Sequence, residues 1–214
     1  CKVMDLNFII IFLFSILAGI IGAILGVGGG IIIIPMLISL GIDIKLAIPA
    51  SLLAIFFNSL TSTIIYSNKK IVKFSLGLKV GILGITGALL GSYTFLIIDK
   101  KILYYIFSII TIILAMFILN KEKIIKPRKI YFLVFLGGGY ISNLLGIGGG
   151  ILFTPVLHTL FNLNIKESVA TSLLAIGFVT FVGIILYAIE RFINLNIAIP
   201  AILGIILGAY IGSK

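Results

Sequence analysis

Long uncharged stretches make up most of the chain. A helix that rises about 1.5 Å per residue needs about 20 residues to cross the hydrocarbon core of a bilayer. Five of the seven stretches are about this long. The pattern therefore predicts an all-α polytopic membrane protein. The stretches are residues 6–42, 46–68, 80–98, 102–120, 130–165, 168–189 and 192–213.

Two stretches, 6–42 and 130–165, are too long for one crossing and too short for two. Each has a triple glycine near its middle and a proline five residues further on, Pro35 or Pro155. We predict that each forms a helix, a non-helical break at the triplet and a short re-entrant half-helix. The triplets are Gly28, Gly29 and Gly30 in the first stretch and Gly148, Gly149 and Gly150 in the second.

The two halves of the chain carry the same motifs in the same order. The segment GAILGVGGGIIIIP at 22–35 recurs as SNLLGIGGGILFTP at 142–155, an offset of 120 residues. After a one-residue insertion, PASLLAI at 49–55 matches ATSLLAI at 170–176, and GALLGS matches GAYIGS further along. This agreement predicts two homologous transmembrane repeats.

A basic hydrophilic segment, NKEKIIKPRK at 120–129, separates the two copies. We predict a first transmembrane repeat at 1–119, this segment as a cytoplasmic linker, and a second repeat at 130–214. The first copy continues through the span 102–120, for which the second copy has no counterpart before Lys214. The duplication therefore predicts one further helix after that residue and an incomplete second repeat.

Composition and charge indicate a membrane protein. Hydrophobic residues make up 61% of the chain and charged residues 10%, whereas a soluble domain is about half apolar and a quarter charged. The formal charge of +10 marks cytoplasmic loops rather than a nucleic-acid partner. With Lys79 set aside inside a span, 10 basic residues lie on the side of the linker and 5 on the other, for parallel and inverted repeats alike. The positive-inside rule places the linker side in the cytoplasm.

The ionisable and sulfur-containing side chains give no sign of catalysis. The single cysteine, Cys1, cannot form an internal disulfide or a metal cluster. The uncharged stretches contain one histidine, His158, and no carboxylate, so we predict no catalytic residue, no metal and no cofactor. His158 could take part in proton coupling, but its place near the end of the second half-helix favours a position at the membrane interface.

The two glycine triplets form the predicted substrate site, and we expect them to face each other near the bilayer midplane. Glycine can take positive φ and lets backbone amides approach a ligand without a Cβ in the way. At the start of a half-helix these amides add to the positive end of the helix dipole, which suits an oxyanion. The alternative is close helix packing, because Gly22, Gly26 and Gly30 also have GxxxG spacing.

Four polar side chains within the uncharged stretches are further candidate substrate ligands. Ser51 and Ser172 are the hydroxyls of the two SLLAI segments, and a hydrogen bond to their own helix backbone is an equally good explanation. Asn58 and Asn143 can donate to an anion, and Asn143 lies just before the second glycine break. Contacts between helices explain these two amides equally well.

The motifs LGVGGGIIIIP and LGIGGGILFTP, each followed by an SLLAI segment, resemble the two signature repeats of the sulfite exporter TauE/SafE family. The resemblance covers nearly the whole chain, and it implies an eight-helix permease of the bacterial inner membrane, built as four helices plus four. It further implies secondary transport of a small sulfur-containing oxyanion such as sulfite, a sulfonate or sulfoacetate. An anion channel and a non-transporting membrane scaffold are the alternatives. A homo-oligomer and proton coupling are both compatible with the sequence.

Overall fold

The computed structural model describes residues 2–119 and 131–214. Within these ranges the chain is helical apart from short connections, and no strand occurs, which confirms the all-α prediction. The predicted linker 120–129 lies outside the described residues. The helices are α1 (Lys2–Leu25), α2 (Gly30–Ser39), α3 (Ile44–Asn68), α4 (Phe74–Ile97), α5 (Lys100–Leu119), α6 (Tyr131–Leu145), α7 (Gly150–Leu160), α8 (Ile165–Ile189) and α9 (Leu195–Ser213).

Both short half-helices that the glycine motifs predict are present. α2 has 10 residues and α7 has 11, and each begins at the third glycine of its triplet. Gly30 and Gly150 are therefore helical, so the prediction that all three glycines of each triplet are non-helical is wrong at these two positions. The reason is that the carbonyl oxygen of Gly29 accepts from the backbone N–H of Ile33 at 3.3 Å, so the helical hydrogen bonds start inside the triplet.

Five of the described helices are long and apolar enough to cross a membrane. Their outward side chains include many large apolar ones, such as Ile64 and Ile82, which are 61% and 63% exposed. In water such a surface would promote aggregation, whereas in a bilayer it contacts lipid. The structure is that of a multi-pass membrane protein. The candidate spans are Asn7–Leu25, Ile44–Asn68, Phe74–Ile97, Ile165–Ile189 and Leu195–Ser213.

The two halves of the chain interlock rather than pack side by side. α1 packs along α9 and α6 packs along α4, so the first helix of each half lies against a helix of the other half. These contacts are close because they are rich in glycine. A methyl group on Gly208 would overlap the carbonyl oxygen of Ile16, and one on Gly87 would overlap that of Leu136. The GxxxG glycines of α4 and α9 therefore serve helix packing.

The long helices α3 and α8 run antiparallel. Lys73, just after the end of α3, forms a salt bridge of 2.8 Å with Glu167 near the start of α8. At the other end, Nζ of Lys45 near the start of α3 lies 5.8 Å from the ring centroid of Phe192, just after the end of α8. These two helices carry the matching SLLAI segments, so the equivalent parts of the two halves have opposite orientations. This is the orientation that inverted repeats require, and the repeat itself stays a prediction from the sequence.

The charged loops lie on two opposite faces of the molecule. The loop between α3 and α4 and the start of α8 share one face, here called the basic face, which carries Lys69, Lys70, Lys73 and Lys166. On the opposite face, Asp43 before α3 and Lys100 at the start of α5 form a salt bridge of 3.4 Å. Our prediction that the basic face is cytoplasmic follows from this arrangement and the positive-inside rule.

Candidate functional site

The two glycine breaks meet at the centre of the molecule, as expected from the sequence. A methyl group on Gly30 would overlap the carbonyl oxygen of Gly146, and one on Gly150 would overlap that of Gly26. A methyl group on Gly148 would lie 2.6 Å from the carbonyl oxygen of Val27. Only residues without a Cβ allow the two backbones to approach this closely.

The two breaks differ in which of their glycines have positive φ. Gly28 and Gly29 have φ of 91° and 93° in the first break, and Gly148 has φ of 82° in the second. Gly149, in contrast, has φ of −67°, so the expectation of a left-handed conformation fails there. Each break also includes a left-handed glycine before its triplet, Gly26 or Gly146, with φ of 71° and 65°, which lies outside the site predicted from the sequence. Gly26 and Gly146 occupy the same position in the motifs LGVGGG and LGIGGG, and this recurrence could have identified them from the sequence.

Each of the two repeated serines holds the break of the opposite half. The hydroxyl of Ser51 donates to the carbonyl oxygen of Gly146 at 2.8 Å, so the alternative of a bond to its own helix is wrong for this residue. The hydroxyl of Ser172 lies 3.0 Å from the carbonyl oxygens of both Gly26 and Val169, the second of which belongs to its own helix. In this conformation both serines bind backbone, where the sequence allowed a substrate contact.

Asn58 lies beside the first break and is fully buried. Its Oδ1 accepts a hydrogen bond from the hydroxyl of Ser62 at 3.3 Å. Its Nδ2 has no hydrogen-bond partner within the described part of the chain. A methyl group on Gly22 would lie 2.5 Å from this Nδ2 and 2.6 Å from the backbone nitrogen of Gly29. The side-chain amide and the Gly29 amide therefore adjoin the same spot beside Gly22.

The side-chain amide of Asn143, near the second break, forms hydrogen bonds to neighbouring helices. Its Nδ2 lies 3.1 Å from the hydroxyl of Ser92 and 3.2 Å and 3.4 Å from the carbonyl oxygens of Val179 and Ala88. The backbone carbonyl oxygen of Asn143 accepts from the Tyr187 hydroxyl at 2.6 Å, whereas its side-chain Oδ1 has no partner in the described part of the chain. Of the two explanations that the sequence left open, these contacts favour the packing role for Asn143 in this conformation.

The amino ends of both half-helices present free backbone amides. In α2 the first helical hydrogen bond comes from the N–H of Ile32, which donates to Gly29 O at 3.1 Å. Within the described ranges, the N–H groups of Gly29, Gly30 and Ile31 have no acceptor. α7 begins in the same way, with Leu152 as its first donor. Such a helix end carries a partial positive charge and suits an anion.

The centre of the molecule is closed in this conformation, because the glycine triplets and all four candidate polar side chains are buried. A cavity of about 550 Å³ lies between α4, α6 and α7 and is lined by Lys79 and Phe135. The ring of Phe135 packs edge-on against that of Phe153, with 5.6 Å between centroids. A methyl group on Gly149 would lie 2.8 Å from the Phe153 ring, so this aromatic pair separates the cavity from the second break.

Residues 11–214 match the model of the family described as "Sulfite exporter TauE/SafE". The chain is 28% identical to the "Probable membrane transporter protein YunE" of Bacillus subtilis (strain 168), over 98% of this chain and 87% of that protein. It is 27% identical to the "Probable membrane transporter protein YdhB" of the same organism, over 96% of this chain and 87% of that protein.

A third relative is the "Probable membrane transporter protein MJ0441" of Methanocaldococcus jannaschii, which is 29% identical over 80% of this chain and 68% of its own length. No solved structure matches the chain. The match of the family model to nearly the whole chain includes both glycine breaks and both SLLAI segments. The chain therefore belongs to the sulfite exporter TauE/SafE family.

Proposed function

We propose that this protein is a secondary transporter that carries a small sulfur-containing oxyanion, such as sulfite or an organosulfonate, across the cytoplasmic membrane. Membership of a family of probable membrane transporters supports transport. The choice of anion rests on the family description and on the chemistry of the centre, where unpartnered backbone amides and the Asn58 side-chain amide offer hydrogen bonds to oxygen.

The meeting of two free helix amino ends at the centre is the observation that carries this proposal. Gly29, Gly30 and Ile31 leave their N–H groups without acceptors in the described residues, and α7 starts in the same manner. Backbone amides can hold an oxyanion without a cationic side chain, which keeps binding reversible. Broken helices whose amino ends face an anionic substrate are a recurring solution in secondary transporters.

The opposite orientation of the two halves supports an alternating-access mechanism. A pseudo-twofold arrangement gives two related conformations of similar energy, open to opposite sides. In the present conformation the breaks touch and the centre is closed. We propose that one half rocks against the other, so that the contacts between Gly26, Gly30, Gly146 and Gly150 separate and water and substrate reach the exposed amides.

We propose transport rather than catalysis as the function of the centre. The candidate polar side chains there are two serines and two asparagines, and each is fully buried. None of them is paired with a general base in the described residues, and a buried hydroxyl without such a base is a weak nucleophile.

Reconstitution into proteoliposomes tests the proposed function directly. We expect saturable uptake of one or more anions from a panel of sulfite, sulfate, ethanesulfonate and acetate, with a sulfur oxyanion preferred. Measurements with and without a proton gradient show whether protons are coupled to the substrate. A large uncoupled conductance would instead support the anion channel, and the absence of any flux would support the scaffold.

A further inference from the structure

We infer that the anion binds at the first glycine break only, where Asn58 and the backbone of Gly29 donate hydrogen bonds to one of its oxygens. The second break then has a structural role. This inference rests on the proposed function and divides the pseudo-symmetric centre into a binding half and a packing half.

The unpartnered amide of Asn58 is the first reason. The residue is 0% exposed, and its Nδ2 has no partner in the described part of the chain. A buried donor without an acceptor destabilises a protein, so such a group requires an explanation, for which an unseen ion or water is a common one. Oδ1 accepts a hydrogen bond from Ser62, and Nδ2 is the unpartnered end of the carboxamide.

The convergence of two donors on one spot is the second reason. The position that a Gly22 methyl group would take lies 2.5 Å from Asn58 Nδ2 and 2.6 Å from the Gly29 nitrogen. The two donors come from different elements, because Asn58 lies on α3 and Gly29 directly precedes α2. They converge beside Gly22 of α1, which has no side chain. A modest opening at Gly22 would admit one oxygen atom between the two donors.

The second break has no equivalent donor pair. Val179 occupies the position that matches Asn58 at the repeat offset of 121 residues, and it offers only its backbone carbonyl, to Asn143. Asn143 Nδ2 is occupied by Ser92 and two carbonyl oxygens. At the position of Gly22 the second half has Ser142, so a side chain fills the place that is empty in the first half. The buried Ser142 hydroxyl also has no partner in the described residues, but no side-chain amide corresponding to Asn58 lies opposite it.

An aromatic ring also blocks the second break. Phe153 on α7 has Ile33 as its counterpart on α2 at the offset of 120 residues. The Phe153 ring lies 2.8 Å from the position of a methyl group on Gly149 and packs against Phe135. The two halves therefore share the same backbone arrangement at the break but differ in the side chains that contact it.

The ligand must offer an oxygen acceptor, because both groups at this spot are N–H donors. The positive end of the α2 dipole adds a preference for a negatively charged acceptor. The groups fit one oxygen of a sulfite, a sulfonate or a carboxylate, and they equally fit a water molecule. The experiment must therefore distinguish these occupants.

Binding to the purified full chain in lipid nanodiscs provides the test, with sulfite, ethanesulfonate and acetate as the probes. Asn58→Leu removes the free donor and keeps the shape of the side chain. We expect it to weaken binding of the preferred anion about tenfold to a hundredfold, the effect of one hydrogen bond to a charged group. We also expect the melting temperature without ligand to change little, because the removal of an unsatisfied buried group offsets the loss of the Ser62 hydrogen bond.

Asn143→Leu is the matched comparison at the other break. We expect it to lower the melting temperature by several degrees, because it removes the hydrogen bonds that Nδ2 donates to Ser92 and to backbone carbonyl oxygens, and to change anion affinity by less than about threefold. Affinity losses of equal size in the two variants would overturn the inference and indicate a symmetric site. Undiminished affinity in Asn58→Leu would also overturn it and assign the spot to water alone.

The outcomes separate this inference from the proposed function. If the wild-type protein binds acetate but no sulfur oxyanion, and Asn58→Leu weakens that binding about tenfold or more, the site assignment stands and the proposed substrate is wrong. If the wild-type protein binds a sulfur oxyanion and Asn58→Leu binds it with the same affinity, the substrate stands and the site assignment is wrong. If the wild-type protein binds none of the probes, both are wrong.

Discussion

Ser51 and Gly146 belong to different halves of the chain, and the Ser51 hydroxyl donates a 2.8 Å hydrogen bond to the Gly146 carbonyl oxygen. The reciprocal contact runs from Ser172 to Gly26 at 3.0 Å. Each half thus ties down the glycine break of the other. A break in a membrane helix leaves backbone carbonyl groups without helical hydrogen-bond partners, and lipid cannot supply one. The two serine hydroxyls supply these hydrogen bonds.

Replacing the two serines by alanine is expected to have unequal effects on stability. The carbonyl oxygen of Gly26 also accepts from Thr154 at 3.2 Å, whereas Ser51 is the one side-chain donor to Gly146 among the described residues. We expect Ser51→Ala to cost about 1 to 3 kcal/mol and Ser172→Ala about 1 kcal/mol or less. Thermal unfolding followed by circular dichroism in detergent measures both. A larger loss for Ser172→Ala would contradict the assignment.

The half-helices could be predicted from the sequence because the signal is local. A glycine triplet and a proline in a stretch of uncharged residues leave few alternatives to a break followed by a short helix. The exact start at Gly30 and Gly150 could not be predicted, because it depends on whether the Gly29 and Gly149 carbonyl oxygens accept helical bonds.

The relative orientation of the halves and the partners of the polar side chains depend on contacts that are distant in sequence. The count of basic residues is the same for parallel and inverted repeats, so only contacts such as that between Lys73 and Glu167 decide between them. Ser51 is likewise separated from its acceptor by 95 residues. Asn58 and Asn143 look alike in sequence, and only their contacts in the fold show that Nδ2 is the unpartnered atom in Asn58 and Oδ1 in Asn143.

Cysteine labelling tests the predicted orientation in the membrane. In a Cys1→Ser background, Asn68→Cys lies at the end of α3 on the basic face and Glu190→Cys lies just after α8 on the opposite face, and both positions are exposed. We expect a membrane-impermeant maleimide to label position 190 in intact cells and position 68 only after permeabilisation. Labelling at both positions from outside would refute the inverted arrangement, and the reverse pattern would refute the cytoplasmic basic face.

Anion transport is expected to respond to the membrane potential. The candidate ligands Ser51, Ser172, Asn58 and Asn143 are uncharged, so the bound anion carries its negative charge across the membrane without a titratable partner among them. An imposed potential of about 100 mV is worth about 2.3 kcal/mol for one elementary charge. We expect a potassium-diffusion potential that is positive inside to accelerate uptake into proteoliposomes. An uptake rate that does not change with the membrane potential but increases with a proton gradient would show electroneutral proton coupling instead.

Gly29→Val is expected to abolish transport while the protein still inserts into the membrane. Gly29 has φ of 93°, which a β-branched residue does not adopt without strain, and its Cβ would lie 2.6 Å from the carbonyl oxygen of Ala18. Valine adds no charge, so insertion is retained. Gly137→Val on α6 is the matched control, because its Cβ would meet nothing within 4 Å, whereas Gly87→Val would overlap Leu136 and disturb folding. Uptake per folded molecule is measured after size-exclusion chromatography. We expect it to be lost in Gly29→Val and kept in Gly137→Val. Equal uptake per folded molecule in the two variants would mean that the break needs glycine for packing alone.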